Sequence, residues 1–192
     1  MSTAASSATP TAAKSTREVA IVVTDGSLES AVICGIAARK YDSVLLDISG
    51  GGGEGCPKRQ AVEKQIKFLS PIDVIEIEPA SEQDELPPLY KWTAAIGHAA
   101  TLARQHEATA ILLPMRIGDL APEAEQAEEW MQIAEELMTF GLSLANLKIE
   151  SPLIEMEPWQ VVELAQQTGA PTHPLHGQQQ PGAFVRAGAA KP

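Results

Sequence analysis

The fold is decided by residues 18–40, which read EVAIVVT, then DGSLES, then AVICGIAARK. The first part, from Glu18 to Thr24, is a short run rich in β-branched residues and predicts a buried strand. The last part predicts a helix, and the residues from Asp25 to Ser30 connect the two. At such a junction the unpaired N–H groups and the dipole of the helix face the loop and favour an anion. The segment therefore predicts a nucleotide-binding α/β domain.

The same alternation of short apolar runs and helical stretches continues along the chain. Strands are predicted at 19–24, 43–48, 72–77, 110–114 and 147–150, and helices at 28–40, 57–69, 90–106, 122–140 and 158–168. Pro57, Pro122 and Pro158 suit first turns of helices, while Gly141 and Gly169 suit helix ends. This pattern predicts an α/β fold, a three-layer Rossmann-like arrangement of a parallel five-stranded sheet with helices on both faces. Ligands bind such sheets beyond the carboxyl ends of the strands.

The chain has 192 residues, 44% of them hydrophobic, which suits one domain with a sizeable core. The composition of its two ends predicts a tail on each side of that domain. Residues 1–17 are rich in Ser, Thr and Ala and predict a disordered leader, neither a secretory signal nor a membrane span. Residues 18–176 predict a single α/β domain. The Gly-, Pro- and Gln-rich residues 177–192 predict a flexible tail.

Charge and cysteine content narrow the partners. The 25 acidic and 14 basic residues give a formal net charge of -11, which repels phosphate backbones and anionic membranes. We therefore expect neither nucleic acid nor a membrane as a partner, whereas a loop of N–H donors still suits a small anion. Cys34 and Cys56 are too few for a disulfide framework or a four-thiolate zinc cluster. We expect a cytoplasmic protein without zinc and assign no residue as a metal ligand.

The loop lacks the three glycines of a dinucleotide fingerprint and the Gly-Lys-Ser/Thr ending of a Walker loop. It resembles the Ser-Gly-Gly-x-Asp-Ser loop of the PP-loop ATP pyrophosphatases. The aligned residues here are Asp25, Gly26, Ser27, Leu28, Glu29 and Ser30. Of these, Gly26 and Ser30 match the motif, and Glu29 replaces its Asp.

The likeness extends from about Val19 to Pro171, where the chain resembles the 7-cyano-7-deazaguanine synthase family. These are PP-loop enzymes of queuosine biosynthesis with an adenine-nucleotide α-hydrolase-like fold. Asp119 matches the end of the family's Gly-x-Asn-x-x-Asp segment. Ser151-Pro152-Leu153 stands at its Thr-Pro-Leu, and Gly169-Ala170-Pro171 stands at its Gly-Val-Pro.

Three family features are changed in this chain. The four zinc-binding cysteines near the family's C-terminus have no counterpart after Pro171. The Arg-Asn pair before the third helix is replaced by Lys91-Trp92, and the Tyr-Pro-Asp-Cys-Arg substrate segment is replaced by Ala-Pro-Glu-Ala-Glu at 121–125. We therefore do not expect the family's zinc site, and the substrate is not expected to be the same.

The resemblance implies a site for an adenine nucleotide, with ATP and Mg²⁺ as cofactors. Its nucleotide-binding residues would be those from Asp25 to Ser30, together with Arg116 and Asp119. Lys91 and Trp92 are assigned to the substrate, because a cationic group suits a phosphate and an aromatic ring suits a purine. No catalytic residue is assigned.

Each assignment has an alternative that needs no ligand. The loop also suits a capped turn between strand and helix, with Asp25 or Ser27 as the N-cap. Trp92 also suits packing against the sheet, and Arg116 with Asp119 suits an ion pair. Asp25 itself would repel phosphates unless Mg²⁺ bridges them or the carboxylate points away.

Two function classes follow. One is an ATP-dependent, adenylating ligase that acts on a small substrate, as the resemblance implies. The other is a non-catalytic protein of the same fold that binds a nucleotide or a partner chain. A homodimer is also compatible, because the apolar stripe of Trp130, Ile133, Leu137 and Phe140 suits either the core or a dimer contact.

Overall fold

The computed structural model describes residues 17–50, 55–77, 88–116, 124–144 and 146–172, without the side chains of 88–90 and 124–127. The predicted leader before Arg17 and the predicted tail at 177–192 lie outside the described residues. Asp119 and Pro122 lie outside them as well.

Five strands and five helices alternate along the described ranges. Strands β1 to β5 span Val19–Thr24, Asp42–Asp47, Asp73–Glu76, Ala110–Leu112 and Lys148–Glu150. Helices α1 to α5 span Leu28–Lys40, Pro57–Leu69, Pro88–His106, Ala124–Leu142 and Pro158–Thr168. Every strand pairing is parallel, and the order across the five-stranded sheet is β3-β2-β1-β4-β5. The predicted Rossmann-like α/β fold is confirmed.

The two faces of the sheet carry separate apolar cores, because successive strand residues point to opposite sides. On one face, Ile21 and Val23 pack with α3 and α4. On the other face, Ala20 and Val22 pack with α1, α2 and α5. Strand β1 is buried by helices on both sides, which explains why its sequence is apolar without alternation. None of the helices within the described ranges is long and apolar enough to cross a membrane.

The proline and glycine residues predicted to begin or end helices do so at three positions within the described ranges. Pro57 and Pro158 are the first residues of α2 and α5, and Gly169 ends α5 in the left-handed conformation with φ 68°. The prediction that Gly141 ends α4 is wrong, because the helix continues to Leu142. Leu142 packs against the core on the face covered by α3 and α4, here called the α3-side core. Ser143 takes the left-handed conformation instead, with φ 56°. The packing of that half-buried leucine outweighs the local preference of glycine for a helix end.

Candidate ligand site at the carboxyl edge of the sheet

The loop between β1 and α1 lies at the carboxyl end of the central strand. Strand β1 pairs with β2 on one side and with β4 on the other. The strands that follow β1 are thus added first on one side of it, β2 and β3, and then on the other, β4 and β5, so the strand order reverses beside this loop. Open α/β sheets bind ligands at such switch points. Lys91 from α3 and Arg116, which follows β4, both contact residues of the loop region. The structure thus brings together predicted residues that are far apart in the sequence.

Asp25 turns its carboxylate back onto the loop. Its Oδ1 accepts a hydrogen bond from the Ser27 N–H at 3.1 Å, and its Oδ2 pairs with Lys91 Nζ at 3.0 Å. Burial by itself raises the pKa of Asp25, but the charge of Lys91 and the hydrogen bonds from Ser27 and Lys91 together lower it by more, so this pKa lies below its ordinary value. The chain therefore supplies an anion of its own at the predicted phosphate position.

Other N–H groups of the loop also have acceptors within the chain. The Gly26 N–H donates to Thr24 Oγ1 at 3.2 Å, and the Ser30 N–H donates to Ser27 Oγ at 3.2 Å. Ser27 is the N-cap of α1 with φ -74°, a value that any side chain adopts without strain. A capped turn thus accounts for these donors, and an external phosphate would have to displace intramolecular acceptors.

Gly26 is explained by helix packing. It has φ 77°, and a Cβ at this position would lie 2.7 Å from the carbonyl oxygen of Lys58 and 3.1 Å from its Cα. Lys58 is the second residue of α2, so the first turn of that helix sits directly against the loop. Because only glycine fits there, the match of Gly26 to the PP-loop motif does not by itself indicate phosphate binding.

A buried polar network lies beneath the loop. Gln65 on α2 is fully buried, and its Nε2 donates to the Ser30 Oγ at 3.2 Å and to the Ser27 carbonyl oxygen at 3.3 Å. Its Oε1 accepts a hydrogen bond from the Thr24 hydroxyl. Sequence reasoning did not find Gln65, since glutamine on a polar helix is usually exposed. The available signal was its helical spacing from the buried Ala61, which places both residues on one face.

Glu29 and Arg116 form an ion pair on the α1 side of the loop. Arg116 Nε lies 2.9 Å from Glu29 Oε1, and both side chains are partly buried. The Ser151 hydroxyl lies within hydrogen-bond distance of the carbonyl oxygens of Leu113 and Met115, at 3.1 and 2.8 Å, and so holds the segment that leads to Arg116. Arg116 is therefore held at the edge of the site by an acid from the loop.

Two of the remaining predicted site residues lie in apolar cores. Trp92 is 5% exposed and belongs to the α3-side core together with Ile96. Leu28 packs against the core on the opposite face. Lys91 Nζ lies 4.9 Å from the centre of the Trp92 ring, a cation–π contact that stabilises the ammonium group paired with Asp25. Lys91 is therefore the polar member of the Lys91-Trp92 pair that reaches the loop.

Asp47, at the end of β2, is an additional carboxylate at this edge. It is buried, and its Oδ1 accepts the Ser49 N–H at 2.8 Å. Burial raises the pKa of Asp47, the hydrogen bonds from Ser49 oppose that rise, and repulsion from Glu76 and Asp25 adds to it. In the described residues, no group of three His, Cys, Asp or Glu side chains is arranged to hold a metal ion.

No model of a known protein family matches the chain, and no curated protein matches it significantly. The contacts of the loop are therefore the basis for a functional assignment.

Proposed function

We propose that this chain is a divergent PP-loop protein that binds an adenine nucleotide at the loop from Asp25 to Ser30 without cleaving it. The observation that supports this proposal is the position of the Asp25 carboxylate. The carboxylate accepts a hydrogen bond from a loop N–H and pairs with the Lys91 ammonium group. A backbone N–H and a cation are the two kinds of group that would otherwise contact a phosphate.

Binding requires that the phosphates compete with this internal carboxylate. When a phosphate takes its place, Lys91 becomes the cationic partner of the ligand, and Asp25 is left close to a like charge. Mg²⁺ relieves that repulsion, because it binds through one or two carboxylates together with phosphate oxygens and water. We therefore expect weak nucleotide binding that depends on Mg²⁺, with Asp25 as the carboxylate nearest to the ion.

The same carboxylate argues against cleavage. Enzymes that act on phosphates direct positive charges and N–H donors toward the negative charge that develops in the transition state. A carboxylate that accepts a hydrogen bond from the loop opposes that charge. The proposal is thus a binding protein that keeps the fold of an ATP-using enzyme.

An ATP-dependent adenylating ligase is the second candidate. The observation that favours it is that two cations reach the loop from different parts of the fold. Each forms an ion pair with an acid of the loop, Lys91 with Asp25 and Arg116 with Glu29. If both acids were to bind Mg²⁺ instead, Lys91 and Arg116 would lose these two acid partners and could turn toward the phosphates. Release of pyrophosphate distinguishes this candidate from a binding protein.

The test is calorimetric titration of ATP, first without and then with Mg²⁺, into the wild type and into Asp25→Asn, followed by a pyrophosphate assay. Asparagine keeps an acceptor for the Ser27 N–H but removes one negative charge near the phosphates. That charge is worth between about 1 and about 4 kcal/mol at 4 Å, depending on solvent screening. Without Mg²⁺ we expect Asp25→Asn to bind at least roughly fivefold more tightly than the wild type. Mg²⁺ should strengthen binding by the wild type more than by the variant, with no pyrophosphate from either protein.

Asp42→Asn is the matched control. It removes the same charge at the opposite end of the sheet, where Asp42 pairs with Val19 at the start of β1. Equal affinities for all three proteins without Mg²⁺, or weaker binding by Asp25→Asn under that condition, would refute the loop as the phosphate site. Pyrophosphate release that depends on Mg²⁺ would establish the ligase instead. Gly26 and Ser30 are unsuitable as probes, because substitution there disturbs packing or the Gln65 network.

A further inference from the structure

Helix α4 carries an exposed apolar face. Ile133, Leu137 and Phe140 are 57%, 63% and 94% exposed, and their spacing places them on one side of the helix. Trp130 and Met138 are half-buried and pack against the core. The stripe predicted from the sequence is therefore divided, because Trp130 at its N-terminal end packs against the core while the other three side chains are exposed.

A cleft of about 600 Å³ adjoins this face, between the end of α4 and the start of β5. Its lining includes Thr139, Phe140, Leu147 and Lys148. Strand β5 is at the edge of the sheet, but the Glu135 carboxylate accepts the Ile149 N–H at 3.1 Å. A side chain thus occupies this backbone donor of the edge, which opposes pairing with a further strand. A partner would dock on the helix face.

We propose that a second copy of this chain covers the face, with the two α4 helices antiparallel about a two-fold axis at Leu137. The apolar stripe is nearly symmetric about Leu137, since Ile133 and Phe140 lie at similar distances along the helix on either side. An antiparallel partner therefore places Ile133 against the partner's Phe140, and Phe140 against the partner's Ile133. Such self-complementarity is what an isologous dimer requires.

The area of the face predicts a weak dimer. The three side chains expose on the order of 400 Å² of apolar surface per copy, which is the size of the largest patch on a typical monomer. With the polar rim, the two copies together bury roughly 1,200 Å², at the lower end for specific interfaces. We expect a dissociation constant on the order of 10 μM.

Charge gives the dimer a diagnostic salt dependence. Glu129 and Glu136 are exposed beside the apolar stripe, and the whole chain carries a net charge of -11. These charges repel one another across the interface and are screened by salt, whereas the apolar contact is not weakened by it. Dimerisation is therefore expected to strengthen as salt increases, opposite to the behaviour of an acidic face that binds a basic partner.

The test is sedimentation equilibrium of the full chain from about 1 to about 200 μM, at low and at high NaCl. We expect the mass to rise from 20.4 kDa toward that of a dimer, at lower protein concentration in high salt. Leu137→Glu should lose at least tenfold in association, while Val162→Glu, on the exposed side of α5, should not change it. Phe140→Ala provides a second variant, because that side chain supports little of the fold.

A wild type that stays monomeric across the range would overturn the proposal, as would a dimer that survives both Leu137→Glu and Phe140→Ala. A dimer that weakens with salt would also overturn it, since the contact would then be electrostatic. The proposal does not depend on nucleotide binding, so the two can fail separately.

Discussion

Replacing Gly26 with alanine adds one methyl group at the point where α2 contacts the loop. The change has two effects. First, an L-residue with φ 77° is strained by about 1 kcal/mol or slightly more. Second, the new Cβ would lie 2.7 Å from the Lys58 carbonyl oxygen, so the first turn of α2 has to move. Overpacking of this kind costs about 1–3 kcal/mol.

Gly169→Ala is the matched control, because Gly169 has a similar φ of 68° and nothing lies within 4 Å of its added Cβ. Only the strain is therefore common to both variants. We expect Gly26→Ala to lose about 2–4 kcal/mol of unfolding free energy and Gly169→Ala about 1 kcal/mol. In a chain of 192 residues each kcal/mol lowers the melting temperature by about 2–4 °C.

Urea denaturation of both variants at pH 7 measures the difference. If the two lose equal free energy, the close approach of α2 to the loop is not what requires glycine at position 26. If Gly26→Ala keeps its stability but loses nucleotide binding, the glycine serves the ligand instead of the fold.

Two further predictions concern the same region. Gln65→Leu should lose about 2–3 kcal/mol of unfolding free energy, because it removes the acceptor of the buried Thr24 hydroxyl and the hydrogen bonds from Gln65 to the loop. Gln60→Leu on the exposed side of α2 should change stability by about 0.5 kcal/mol or less; equal losses in urea would contradict the network. Because the pKa of Asp25 is lowered in the folded state, its pair with Lys91 stabilises the protein above the unfolded pKa and ceases to do so as pH falls through the folded value. The stability difference between wild type and Asp25→Asn should thus be about 1 kcal/mol at pH 7 and shrink below about pH 4; a constant difference from pH 7 to pH 3 would exclude the charge effect.

The fold could be predicted because burial on both faces of the sheet leaves continuous apolar runs, such as Val19–Thr24, separated by helical periodicity. The order of these elements then restricts the sheet to few arrangements. Gly141 is the instructive failure, since a local helix-end signal yielded to the packing of Leu142. A local preference for a helix end fails to set the boundary where continuing the helix gains more free energy from packing.

The contacts of the candidate site could not be predicted in the same way. Asp25 and Lys91 are 66 positions apart, and their meeting depends on how α3 packs against the sheet. The burial of Gln65 depends equally on how α2 meets the loop. The sequence indicated which residues surround the carboxyl edge, but the partner of each charge depends on distances between elements that no local pattern contains.

The pair of Asp25 and Lys91 means that the loop carries a tethered competitor. A tethered group acts at an effective concentration of millimolar or higher, whatever its surroundings contain. Free phosphate or sulfate at lower concentration therefore cannot displace it by charge alone. If the loop binds a nucleotide as proposed, only a molecule that gains additional contacts beyond the loop can displace the carboxylate, and abundant inorganic anions are thereby excluded.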